Sequence, residues 1–310
     1  MFDMFDSDNA QNYSQDSSSS SSSDSSSSQS SYGSYSSSGK GFVLSVGGSV
    51  FIGEKPLTDK INEFCSAINN LGEFKFVIVV GGGKTARAYQ ESAKDLGANN
   101  FELDSLGIAS TRLNAKLFTY KIEKAHKKVI TNFEEIDEIV NEGRIPIMGG
   151  MAEGQTTDAV GALLAEKLGF EFVNLSNVDG IYDKDPNAFE DAMMFKELSF
   201  NDMNFLLREK LLVPGQHLFV DPQAASILSR SKVKSFFLNG DHLENFKNCL
   251  REQDYKGTVV DDRDDVIDKD EINSSFEKME EHHEMPLRKR IIKREHKDEE
   301  INPHDIDFGK

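Results

Sequence analysis

Phe76-Val77-Ile78-Val79-Val80-Gly81-Gly82-Gly83-Lys84 is the stretch on which the fold turns. Five consecutive apolar residues, four of them β-branched, read as a strand covered on both faces, because a strand with one face in water alternates apolar with polar. Three glycines end it, and helical spacing follows through about residue 94. The same order recurs on either side. Upstream, Phe42-Val43-Leu44-Ser45-Val46 runs into Gly47-Gly48, and residues 57–71 place Leu57, Ile61, Phe64, Cys65, Ile68 and Leu71 at helical intervals. Downstream, a short strand over 145–148 precedes Gly149-Gly150, an amphipathic helix covers 156–168, and 172–175 and 236–238 are further strands. Continuous apolar strands alternating with helices predict an α/β fold: a three-layer sandwich with a mainly parallel central sheet.

This pattern occupies about 41–260 of the 310 residues and predicts one large domain there. Residues 1–40 are a Ser-rich arm with too little apolar surface to offset the entropy of ordering, so it is expected to be disordered. Residues 261–310 form a charged tail, expected to be partly helical or disordered, with a basic cluster at 288–294. The net charge of −18 sits unevenly: the arm holds five acids against one Lys, and the tail holds 17 acids against 10 bases. The middle is only mildly acidic, which argues against a general nucleic-acid binder. Cys65 and Cys249 are far apart with no metal-ligand spacing and read as buried reduced thiols. The chain has no apolar run of 18 residues, and its first residues lack a basic and apolar leader, so the expectation is a soluble, cytoplasmic protein.

The chemistry lies in the glycine turns. Ligands of an open parallel sheet bind beyond the carboxyl ends of its strands. Glycines there let backbone N–H groups approach phosphate oxygens, and the helices that follow point positive dipole ends at the same place. One such turn also serves tight packing, but three at strand ends, one followed by Lys84 and Arg87, favour a site for several phosphates. Gly83-Lys84-Thr85 is not the end of a P-loop, since that motif needs Gly where Ile78 stands. A dinucleotide G-x-G-x-x-G is missing at these turns too. Three polar clusters complete the set: Asp104-Ser105 opening a helix with Thr111, Arg112 and Asn114; Thr156-Thr157-Asp158 opening another; and the loop from Ser176-Asn177 through Tyr182 to Asp185-Pro186. Capping explains the second alone, and an ordinary turn-rich loop explains the third.

In this order the motifs resemble the amino-acid-kinase family, and within it the archaeal type of uridylate (UMP) kinase, over about 41–260. Val220-Asp221-Pro222 and Gly257-Thr258-Val259 agree with the likeness. The resemblance implies phosphoryl transfer from ATP to UMP, with Mg²⁺ carried on the phosphates rather than in a protein metal site. By position, Gly47, Gly48 and Ser49 would line the ATP phosphates, and Gly83 and Arg87 would face the ATP and transferring phosphates. Ser176, Asn177, Tyr182 and Asp185 would form the adenosine side. Gly82, Asp104 and the loop Met151, Ala152, Glu153, Gly154, Gln155, Thr156 and Thr157 would hold UMP. Asp158 resembles the carboxylate that organises the cations. Many family members carry Lys before the first glycine turn; here Ser45-Val46 stands there, as in the archaeal type, and Lys84 is read as the replacement cation. Ser176 stands where Thr is usual. Relatives form hexamers, so a homo-oligomer is expected; neither a membrane nor a specific nucleic acid is.

Other readings share the fold. Kinases for carbamate, amino-acid carboxylates or isopentenyl phosphate are weighed against by Asp104 with Thr156-Thr157, which favours a ribonucleotide. A nucleotide-binding storage protein is weighed against by the lack of a His-rich cluster in the core, and a catalytically dead scaffold by the filled polar positions.

Overall fold

The computed structural model describes residues 39–212 and 220–269. The arm at 1–38, the apolar stretch 213–219 and the tail from 270, including the basic cluster, lie outside the described residues. The sheet begins with β1 (Gly41–Val46), followed by a four-residue turn of helix, α1 (Gly48–Phe51), and by α2 (Thr58–Asn69). Then come β2 (Lys75–Val80), α3 (Gly83–Asp95), α4 (Asn100–Lys121), α5 (Ile136–Asn141) and β3 (Ile147–Met148). α6 (Thr157–Leu168) leads to β4 (Glu171–Ser176). The hairpin β5 (Ile181–Tyr182) and β6 (Met194–Phe195) stands apart from the main sheet. The rest is β7 (Glu197–Ser199), α7 (Phe200–Leu212), α8 (Pro222–Ser231), β8 (Ser235–Asn239), α9 (Leu243–Leu250) and β9 (Thr258–Asp261).

The main sheet runs β3-β2-β1-β4-β8-β9-β7, and every neighbouring pair is parallel except β8 with β9. Alternation along the strands divides the core into two layers. Val43, Val77, Val79, Met148 and Phe172 face one side, under α5, α6, α7 and α8. Phe42, Leu44, Val46, Ile78 and Val80 face the other, under α2, α4 and α9. Both faces are therefore dry, as the uninterrupted apolar runs require. Each layer is sealed by aromatic packing; Phe51, Phe64 and Phe118 meet edge to face at 5.2–5.8 Å.

Two details depart from the sequence reading. α4 starts at Asn100, not at Asp104, because the Asn99 side chain accepts from Glu102 N–H at 3.2 Å while the Glu102 carboxylate accepts from Asn99 N–H at 2.8 Å. Asp104 therefore sits in the second turn. The strand expected over 145–148 is regular only at 147–148, with Ile145 held by an isolated bridge to Ala125. Cys65 and Cys249 are free and buried, and burial pushes both thiols up to about 12.

Candidate active site

The turns after β1 and β2 lie backbone to backbone. A Cβ on Gly48 would meet Gly83 N at 2.1 Å, one on Gly81 would meet Gly48 N at 2.6 Å, and Gly83 takes φ +60. Glycine is needed here for the close approach of two turns before any ligand is considered. Gly47 N–H donates to Leu175 O at 2.8 Å and Gly81 N–H to Val46 O at 2.9 Å, so the carboxyl ends of β1, β2 and β4 are stitched together. From below, buried Asn114 of α4 donates through Nδ2 to both Gly81 O and Gly82 O at 3.0 Å. The third turn is seated on the same helix. Gly150 N–H donates to Thr111 Oγ1 at 2.7 Å, and Arg112 donates to Gly150 O and Met151 O at 3.2 Å.

Thr156 caps α6 by accepting from Ala159 N–H at 3.0 Å, the role its position suggested. Asp158, two residues on, does not cap. Its Oδ1 accepts from Asn174 Nδ2 of β4 at 3.0 Å and from Ser45 Oγ of β1. Burial raises the Asp158 carboxyl above the ordinary carboxylate range; the nearby Asp221 adds to that, and the two hydrogen bonds oppose it. Among the described residues no group of three His, Cys, Asp or Glu is placed to hold a metal ion.

The remaining sequence-predicted residues fall on the two sides of this centre. Ser49 is exposed on α1 and Asn177 is exposed after β4. Ser176 O accepts from Gly240 N–H at 2.8 Å, which ties β4 to β8. Asp179 pairs with Lys256 at 2.6 Å and accepts from Asn239 Nδ2 at 2.9 Å; burial would raise its carboxyl, but those partners outweigh burial and hold it low. Tyr182 lies against it in β5, and Asp185 caps its own turn by accepting from Asn187 N–H at 2.9 Å. On the other side Asp104 Oδ2 accepts from Gly154 N–H at 2.8 Å, which brings α4 to the loop 151–157. Arg87 and Asp104 both line an open depression of about 430 Å³ between α3 and α4. Lys84 points elsewhere: its Nζ pairs with Glu54 at 2.8 Å on the surface.

A match to the amino acid kinase family model extends over residues 40–239, most of the described chain. The chain belongs to the amino acid kinase family. It is 42% identical over 203 residues to a uridylate kinase of Methanocaldococcus jannaschii, across 64% of this chain and 90% of that protein. It is 39% identical over 220 residues to a uridylate kinase of Archaeoglobus fulgidus, across 70% and 98%. The crystal structure of the Archaeoglobus fulgidus uridylate kinase superposes with a TM-score of 0.63 over 71% of this chain and 99% of that one. A UMP kinase structure from Bacillus anthracis shares the fold at 19% identity and a TM-score of 0.60.

Sequence reasoning passed over Ser45 and Asn174 as site residues. Ser45 is the lone polar side chain of β1, and Asn174 is a buried polar side chain between Val173 and Leu175; that was the available signal. Gln223, whose Nε2 donates to Gly154 O at 2.8 Å, gave no signal, because only the fold brings α8 to that loop.

Proposed function

We propose that this chain transfers the γ-phosphoryl group of ATP to UMP, giving UDP and ADP. The observation that carries the reading is the convergence of three glycine turns and Asp158 at the carboxyl ends of β1–β4, in a chain spanning nearly all of the archaeal uridylate kinases it resembles. The catalytic domain is assigned to 41–260, and residues 261–269 finish β9 and bond back to β7 and α7 through Asp265 and Val266.

Phosphoryl transfer asks for positioning and charge neutralisation more than for covalent participation. In this reading backbone N–H groups of Gly48 and Gly83, with Ser49, hold the ATP phosphates, and Gly47, its own N–H engaged by Leu175 O, lines them. Ser176, Asn177, Tyr182 and Asp185 hold the adenosine. Gly82, Asp104 and residues 151–157 hold UMP, whose phosphate is already an anionic nucleophile, so no side chain need act as a general base. Asp158 would hold a Mg²⁺ ion carried on the nucleotide, which supplies charge neutralisation between the phosphates. Arg87, which lines the same depression as Asp104, is assigned to the acceptor and transferring phosphates. Lys84 is assigned the same charge-neutralising role, because an exposed pair such as Lys84–Glu54 is weakly held and leaves the lysine able to turn inward.

The protein is assigned to the cytoplasm as a homo-oligomer, a hexamer by resemblance. Support for self-association comes from α4, where Leu113 and Tyr120 are 64% and 68% exposed on the face that also carries Ser105 and Ala109. An antiparallel second copy would set the large side chains against the small ones and Glu102 near Lys121. No helix of the described residues is long and apolar enough to cross a membrane.

A coupled ADP-release assay with Mg-ATP and UMP, CMP, dUMP, carbamate or isopentenyl phosphate tests the function. Turnover with UMP well above the others is expected. Silence with every acceptor, from protein that still binds ATP, would overturn the reading.

A further inference from the structure

Gly154 stands at the tip of the loop 151–157 with φ +77 and nothing within 4 Å of where a Cβ would be. Two side chains reach it. Asp104 of α4 accepts its N–H at 2.8 Å, and Gln223 of α8 donates Nε2 to its carbonyl at 2.8 Å. These helices lie on opposite faces of the sheet: α4 buries Ala115 and Phe118 in one core layer, and α8 buries Ala224 and Leu228 in the other. The loop tip is therefore pinned by both outer layers, while its base is held separately by Thr111 and Arg112.

We propose that Gln223 is a positioning residue for the acceptor, acting through Gly154 on Asp104. This rests on the reading of Asp104 as an acceptor ligand. The argument is geometric. The Gly154 N–H occupies Oδ2 of Asp104, so the direction of that carboxylate, and the side on which Oδ1 is offered to a ribose hydroxyl, follows the orientation of the Gly154 peptides. Nothing packs where a Gly154 side chain would lie, and within the loop its carbonyl peptide is tied by the long 3.2 Å bond from Gln155 N–H to Ala152 O. Gln223, gripping the carbonyl of the same residue, fixes it from the far side. It is exposed on the first turn of α8, and the helix is capped independently by Asp221, which accepts from Ala224 N–H at 2.7 Å. Losing its side chain should leave the fold intact.

The test uses the full chain and steady-state kinetics. Gln223→Glu, the same shape without the donor, and Gln223→Ala should each raise KM for UMP about five-fold, the scale of one neutral hydrogen bond, with kcat and KM for ATP unchanged. In an Asp104→Ala background the Gln223→Ala change should add little, because the two residues act on one carboxylate. An unchanged KM for UMP in both single variants, or full additivity with Asp104→Ala, would overturn the inference. Failure of the kinase reading itself would look different: the unaltered chain would then be inactive with UMP.

Discussion

Asp158 is held in a place that suits catalysis better than stability. Its carboxylate is buried, with the charge of Asp221 acting in the same direction, so the folded chain binds its proton more tightly than the unfolded chain does. Near pH 4, about the ordinary carboxylate pKa, and below, both states keep the proton and the site costs nothing. As pH rises the unfolded chain ionises first; stability falls until the raised folded-state pKa is passed, and the penalty then stays constant. Asp158→Asn should therefore melt with the parent at acid pH and above it at neutral pH, while kcat falls at least about a hundredfold. Thermal melts across pH, paired with the ADP-release assay, check both halves. Lys84→Ala should lower kcat by about ten-fold or more without moving the melting temperature, since its partner Glu54 is wholly exposed. A Lys84→Ala enzyme with near-normal turnover would remove the lysine from the mechanism. The sequence pointed to residues that the fold does bring to the strand ends, the glycines and Asp158, because they stand in short local motifs. It was not legible where a polar residue serves another polar residue across the fold. Ser45 and Asn174 are separated by more than a hundred residues and meet only because β1 and β4 pair in register.

Elements were readable in proportion to their length and regularity. β1, β2, β4 and β8 are apolar runs, and α2, α3 and α6 carry helical spacing, so all seven could be placed from the chain alone. The hairpin β5–β6, with two residues in each strand, and β7, with three, have no room for a period and were passed over. The start of α4 was misplaced although Asn99-Asn100-Phe101-Glu102 holds the signature of a capping box, because the polar cluster at Asp104 drew the boundary. Asn99→Ala should cost about 1 kcal/mol of unfolding free energy, the usual worth of such a cap, read from urea melts. The turns after β1 and β2 are a sharper case. Asn114→Ala would strip the carbonyls of Gly81 and Gly82 of their buried donor and should destabilise by about 1–3 kcal/mol. It should also slow turnover, since the same peptides are assigned to phosphate. Gly48→Ala, whose Cβ would fall 2.1 Å from Gly83 N, should not yield a folded enzyme with an intact site.

For the whole molecule, the three-layer architecture followed directly from strands that are apolar on both faces. The reversal of β9 and β7 did not, because direction leaves no mark on a three- or four-residue strand. The exposed face of α4 belongs to this scale. Leu113→Asp or Tyr120→Glu should shift the protein toward smaller species in light scattering if a second copy covers that face. Phe42 pairs with Phe76 on one side and with Glu171 on the other. The first partner is close in sequence and the second is not, so closing the β1–β4 seam costs about 1 kcal/mol more chain entropy than closing β1–β2. The first half of the sheet can assemble as the chain leaves the ribosome; the seam waits for α6 and β4. Asp158, Ser45 and Asn174 lie along that seam. A chain arrested before β4 would own most of its glycine turns and no centre, and in refolding, recovery of activity should lag behind recovery of helical circular dichroism.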